Sequence, residues 1–145
     1  MSALICGSIA FDTIMVYSGQ FKNEILPDQV HMLNVSFLVP DMRREFGGCA
    51  GNIAYSLALL GGDGKAMGTV GSDFDVYADW MDQNGVSRDY VKRIDEAYTA
   101  QAYITTDMDD NQITAFHPGA MNYAHVQEVP RDAGITLGIV APDGK

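Results

Sequence analysis

Basic residues are scarce in this chain: 9 Lys and Arg stand against 19 Asp and Glu, a formal net charge of -10 over 145 residues. A nucleic-acid partner needs a basic face to meet its phosphates, so that class of partner is excluded. A small anionic ligand is not, because backbone dipoles and metal ions act locally whatever the net charge. Cysteine is nearly absent. Cys6 and Cys49 alone argue against a disulfide framework, and no C-x-x-C or Cys/His cluster points to zinc. His31, His117 and His125 are scattered, so no metal site is expected on them. No apolar run approaches the roughly 18 residues of a membrane span. The N-terminus lacks a basic region followed by an apolar stretch and a cleavage site. These absences leave a soluble, cytoplasmic protein without membrane contact as the expectation. What is abundant is apolar residue, 47% of the chain, enough for one domain with a core.

The apolar run "ALICGSIAF" (3–11) predicts a buried strand, with Asp12 at its end. Residues 18–30, polar and with Pro27, read as a loop. In "HMLNVSFLV" (31–39), Leu33, Val35, Phe37 and Val39 alternate, which predicts a strand with one apolar face. Ile53, Leu57 and Leu60 fall at i, i+4 and i+7 and predict a helix over about 50–60, stopped by Gly61-Gly62. A short strand follows at 65–70. Ser72 is the expected N-cap of a second helix, with Asp73 and Asp75 in its first turn. Phe74, Tyr77, Ala78 and Met81 form its inner face, and Asn84-Gly85 its end. Strands are expected at 98–105 and 112–116 around a "DMDDN" hairpin turn, then a short helix near 120–127 and a buried strand at 135–140. Strand alternating with helix is the grammar of an α/β sheet. The strands at 31–39 and at the hairpin break that alternation and read as a separate small β layer. The sequence ends at "APDGK" with no covering helix after its last strand, which makes it the expected front part of a longer protein or a shortened one.

"EFGGCAGNIAYSLALLGG" (45–62) places glycines directly before a helix. Gly47-Gly48 fits a tight turn, and it also fits a place where backbone approaches a ligand too closely for any Cβ. Asn52 in the first helical turn offers both a donor and an acceptor, which suits a sugar diol. Taken with Gly71, the stretch "GGCAGNIAYSLALLG" resembles the first signature of the ribokinase/PfkB carbohydrate kinase family at Gly47, Gly48, Ala50, Asn52, Ala54, Gly61 and Gly71. "CGSIAFD" is similar to that family's first strand, "TVGSDFDVYADWMDQNGV" to its next strand and helix, and "TAQAYITTDMDDNQITAFHPGAM" to its lid hairpin. The likeness covers nearly the whole chain.

The resemblance implies a ribokinase-like three-layer α/β sandwich, incomplete here, with a small β-sheet lid built from about 13–45 and 98–118. It implies substrate-binding roles for Asp12 (two sugar hydroxyls), Gly48 (a backbone amide), Gly47 (space) and Asn52 (a further hydroxyl). Ala102 and Phe116 would close over the substrate. Phe116 would pack against a nucleoside base or only within the hairpin, and both readings stand. Ala10 occupies a position where sugar-specific members tend to carry Asn. With the lid sequence, this turns the likeness toward the adenosine-kinase-like, nucleoside-kinase branch. Such kinases move a phosphoryl group from ATP, with Mg²⁺, to a hydroxymethyl group. Their base lies in a Gly-Ala-Gly-Asp sequence and their Mg²⁺-linked motif is Asn-x-x-Glu, both absent here. Asp73 reads as a helix acid and Asp143 has no helix after it, so neither replaces the base. No catalytic residue is expected within this chain, no metal ligand either, and the chain alone is expected to be inactive.

Two functions follow. One is the substrate-binding and lid portion of an ATP-dependent nucleoside kinase, or of a ribokinase- or fructokinase-type sugar kinase. The other is a non-catalytic sugar-binding or dimerisation module, with a homodimer formed through the lid strands. A dinucleotide-binding fold is excluded, because "CGSIAFD" has no G-x-G-x-x-G turn.

Overall fold

The computed structural model describes residues 2–131 and 134–144. Its first apolar run is two strands, β1 (Ser2–Cys6) and β2 (Ala10–Val16). The run divides at Gly7-Ser8-Ile9 and its halves enter different sheets. Up to Ser8 the first sheet still holds the backbone: the Gly7 N–H donates to Met67 O at 3.1 Å and the Ser8 N–H to Pro142 O at 3.0 Å. From Ala10 onward the partners are Gly47 and Ala100, in the second sheet. Asp12 therefore lies inside a strand and not at the end of one, because composition does not register a change of partners.

The elements after β2 are a one-turn helix α1 (Phe21–Glu24), a 3₁₀ turn (Pro27–Met32), β3 (Asp41–Gly47), α2 (Cys49–Leu59), β4 (Asp63–Val70) and α3 (Asp75–Gln83). Then come β5 (Ser87–Arg93), β6 (Ala100–Thr106), β7 (Gln112–His117), a 3₁₀ segment (Gly119–Val126) and β8 (Leu137–Val140). The first sheet has the order β5-β4-β1-β8 and is parallel throughout. The second has the order β3-β2-β6-β7, with β2 and β6 parallel and both outer pairs antiparallel.

Side chains alternate across the first sheet, so Ile5 and its neighbour Ala66 share one face with Val70. That face meets Ala50 and Ala54 of α2 and Tyr77, Ala78 and Met81 of α3 in one buried cluster. Phe74 joins them, so the expected inner face of this helix is the observed one. Small residues on α2 let it lie close to the sheet, and large ones on α3 fill the remaining space. Burying a side chain such as Met81 contributes about 1.5–3 kcal/mol. On the opposite face the Gly119–Val126 segment lies over β4, where the Thr69 hydroxyl donates to Ala120 O at 2.7 Å.

Four expectations are corrected. Residues 33–40 form no strand; the strand is β3, whose charged sequence "DMRREFG" pairs with β2 from Asp41↔Val16 to Gly47↔Ala10. The predicted alternation does survive in the burial of 33–40, since Val35, Phe37 and Val39 are half-buried between exposed neighbours. Phe37 packs with Tyr17 and Phe21 at ring-centre distances of 5.0 and 4.9 Å, so side chains and not a ladder hold the segment. The 18–30 loop contains α1 and a 3₁₀ turn, which Pro27 opens from a position where its missing N–H costs nothing. Ser72 does not cap α3, whose N-cap is Phe74. The Ser72 backbone N–H and hydroxyl both donate to Ala97 O, and Asp73 accepts from the Thr99 N–H at 2.7 Å. The strand expected at 135–140 to be buried is β8, an edge strand with Leu137 and Val140 exposed.

Candidate functional site

Alternation along β2 sends Phe11 into the core, 1% exposed, and Asp12 to the other face of the second sheet. Across the sheet Asp12 stands opposite Glu45 on β3 and Ala102 on β6, and Ala102 stands opposite Phe116 on β7. Cross-strand partners share a face, so Glu45, Asp12, Ala102 and Phe116 form one row. The row grades from two acids through a buried methyl to a ring that is half exposed. Burial pushes the Asp12 carboxyl above the usual carboxylate range. A second acid directly across the ladder is unfavourable in itself. Arg43, two residues along the same face, approaches Glu45 at 3.5 Å. A hydrogen-bond donor arriving from solution would relieve the Asp12 carboxylate.

Gly47 faces the same way as Asp12. A Cβ on Gly47 would overlap the Asp12 carboxylate, coming within 2.8 Å of its Cγ. The space that Gly47 provides is thus occupied by Asp12 itself. Gly48 has φ +88° and ψ 143°, a conformation nearly confined to glycine. A Cβ there would come within 2.5 Å of Ser8 O and 2.7 Å of Ala10 N, both backbone atoms of the link between the sheets. The glycine pair is required by the protein's own close crossing, which accounts for the tight-turn reading of the sequence.

Gly48 is also the N-cap of α2, and the cap comes from far away in sequence. The Cys49 N–H donates to Ser8 Oγ at 3.0 Å and the Ala50 N–H to Ser8 O at 2.9 Å. Asn52 follows in the first turn with its side chain exposed. Pairing between strands brings Asp12, Gly47, Ala102 and Phe116 together, and the start of α2 adds Gly48 and Asn52 directly behind Gly47.

Sequence reasoning missed Glu45, Ser8 and Tyr77 as parts of this surround. The Tyr77 hydroxyl donates to Gly47 O at 2.9 Å, from a side chain with no exposure at all. The position of Glu45 emerges only from the register of β3, and that of Ser8 only from the crossover. Tyr77 was legible as core but not as a donor.

Below Asp12 on the opposite face, the Arg44 guanidinium lies 3.7 Å from the centre of the Phe11 ring and 3.5 Å from Asp73. Asp73 is thereby tied to Thr99, Gln101 and Arg44. Asp143 accepts from the Gly144 N–H at 2.8 Å, and burial pushes its carboxyl up. A hollow of about 520 Å³ beside Ile14, Val16, Asp41, Arg43 and Thr106 lies at the far end of the second sheet and does not include the Asp12 row. The described residues do not fit ATP with Mg²⁺. No group of three His, Cys, Asp or Glu side chains among the described residues is placed to hold a metal ion, and Ser8 already occupies the leading amides of α2. Among the described residues no helix is long and apolar enough to cross a membrane.

The profile of the pfkB family carbohydrate kinases matches residues 9–135. A nucleoside kinase of Methanothermobacter thermautotrophicus is 31% identical over 124 residues, which are 84% of this chain and 40% of that protein. The solved structure of Burkholderia thailandensis nucleoside kinase in complex with inosine superposes with a TM-score of 0.86 at 57% identity, over 99% of this chain and 45% of that one. The nucleoside kinase of Methanocaldococcus jannaschii, an archaeal member of the ribokinase family, gives a TM-score of 0.82 at 27% identity, again over 99% and 45%. The ribokinase-like α/β fold expected from the sequence is the fold observed. The chain spans less than half the length of these relatives.

Proposed function

The chain belongs to the pfkB family of carbohydrate kinases, and from that membership we propose that it is the N-terminal, substrate-binding portion of an ATP-dependent nucleoside kinase. The observation that carries this reading is the half-buried Asp12 carboxylate, set against Gly47 and opposite Ala102 and Phe116 on one open face. A carboxylate held partly out of water gains most from two adjacent hydroxyls, which is what a ribose presents. Asp12 accepts from that diol. The Gly48 amide and the Asn52 side chain complete the polar ring around it. Ala102 leaves room above the sugar, and Phe116 supplies a flat apolar surface for a base. In this reading the second sheet is the lid, and its closure keeps water from the reacting hydroxyl.

ATP supplies the phosphoryl group and Mg²⁺ its charge neutralisation, on residues outside this chain. The exposed apolar side chains Leu137 and Val140 on β8 support a packing surface there for a remainder of the fold. The outer strand β7 is exposed at all six positions, which supports a homodimer formed through this sheet. A cytoplasmic location belongs to this proposal.

The test is inosine and adenosine binding to the full-length gene product by calorimetry. Asp12→Ala is expected to cost about 1.5–3 kcal/mol, on the order of 10–150-fold in affinity. Affinity unchanged in that variant removes Asp12 from the site. Tight binding of free ribose or fructose with none of a nucleoside makes this a sugar kinase instead.

A further inference from the structure

Tyr77 lies outside the row that faces solvent, yet it touches the turn on which that row depends. Its ring is packed between Phe46 at 4.7 Å, Phe74 at 5.5 Å, Phe11 at 5.7 Å and Trp80 at 5.7 Å between centres. A ring held on several sides has one position for its hydroxyl. That hydroxyl donates to Gly47 O at 2.9 Å. It also fills the space beside Gly51, where a Cβ would collide with the Tyr77 oxygen. The hydroxyl of a helix α3 residue thus joins the last residue of β3 to the first turn of α2.

A planar trans peptide fixes the consequence. The described residues contain no cis bond, so the Gly48 N–H points away from the Gly47 carbonyl. Whatever holds that carbonyl also aims that amide. Gly47 in turn abuts the Asp12 carboxylate.

We propose that Tyr77 is a positioning residue for nucleoside binding, which acts by holding the Gly47 carbonyl so that the Gly48 amide and the Asp12 carboxylate keep the geometry a sugar diol requires. This rests on the proposed nucleoside-binding role of Asp12 and Gly48. Phe at position 77 would fill the core equally well, so core packing alone does not call for the hydroxyl. Burial, and after it the Asp12 charge, push the Tyr77 phenol well above its ordinary value, so the hydroxyl stays a donor throughout the working pH range.

The experiment is a thermodynamic cycle on the full-length gene product, with inosine as the probe and calorimetry as the readout. Tyr77→Phe is expected to lower inosine affinity roughly 5–20-fold, the range for one lost positioning hydrogen bond. In the Asp12→Ala background the same change is expected to cost measurably less than in the wild type, because the share of its effect that runs through Asp12 is already lost while the share through the Gly48 amide remains. Gly51→Ala supplies a second route. It presses on the hydroxyl from the helix side and is expected to weaken inosine binding with the ring intact. Adding Tyr77→Phe to Gly51→Ala makes room for the methyl, so thermal stability is expected to recover while affinity does not. If Tyr77→Phe fails to fold, Gly51→Ala reads the same link alone.

Affinity within twofold of wild type in Tyr77→Phe, or equal losses in both Asp12 backgrounds, overturns the positioning role and leaves the nucleoside site standing. Recovery of both stability and affinity in the double variant overturns it too, since the hydroxyl is then dispensable. Absence of nucleoside binding by the wild-type protein overturns the site and this role together.

Discussion

Asp12 is held in a place that does not suit it. Burial raises its pKa, and Glu45 faces it across the ladder. A carboxyl whose folded pKa lies above its unfolded one favours folding only at low pH and opposes it as pH rises through the folded value. Asp12→Asn is therefore expected to raise the melting temperature at pH 7 slightly, by about 1–2 °C, because half-burial leaves much of the effect screened. The same change is expected to abolish tight nucleoside binding. A melting temperature that falls in Asp12→Asn contradicts this account of the carboxylate. Gly48 gives the opposite case. Gly48→Ala meets both φ +88° and the Ser8 and Ala10 backbone, so a loss of roughly 3 kcal/mol or more is expected in urea denaturation. Asp12, Gly47 and Gly48 were legible because a motif marks them. Glu45, Ser8 and Tyr77 were not, because each acquires its role from a partner at least thirty positions away or from another strand's register.

Strands and helices divide in the same manner. α3 was readable because periodicity in sequence is periodicity in burial, from Phe74 to Met81. α2 was readable as a helix, but its buried face is a correction: Ala50 and Ala54 enter the core, Ile53 and Leu57 are half-buried, and Leu60 is exposed, because the close approach to the sheet admits only small side chains. The strands missed are β3 and β5, with sequences "DMRREFG" and "SRDYVKR", both at sheet edges. An edge strand satisfies its backbone on one side and shows charge to water, so it carries little apolar signal. Residues 33–40 fail in the other direction. Their alternation is real, but it serves the Tyr17, Phe21 and Phe37 cluster and not a ladder. The hairpin tip holds the Phe21 side of that cluster. The Asp107 carboxylate accepts from the N–H groups of Phe21, Asp109 and Asn111, and these bonds outweigh its burial and hold its pKa low. A carboxyl with a lowered folded pKa supports folding above its unfolded value and loses that support as pH falls through the folded one. Asp107→Asn is thus expected to lower stability at pH 7 and to flatten the acid limb of the stability profile below about pH 4. An unchanged acid limb would remove Asp107 as its source.

Two sheets share one strand run, and the crossing at Gly7-Ser8-Ile9 is where the candidate site forms. The parallel sheet packs against α2 and α3, and the mixed sheet carries the candidate row of Asp12, Ala102 and Phe116. Family membership fixes the fold, and the nucleoside-kinase relatives direct the choice of substrate. The most direct measurement is phosphoryl transfer by the full-length gene product, given MgATP with inosine, adenosine, ribose and fructose in separate reactions and the product identified by mass spectrometry. The account predicts a nucleoside monophosphate from inosine or adenosine, with kcat/KM reduced at least tenfold in Asp12→Ala. Phosphorylation of free ribose or fructose alone, or no transfer to any of the four, would contradict it.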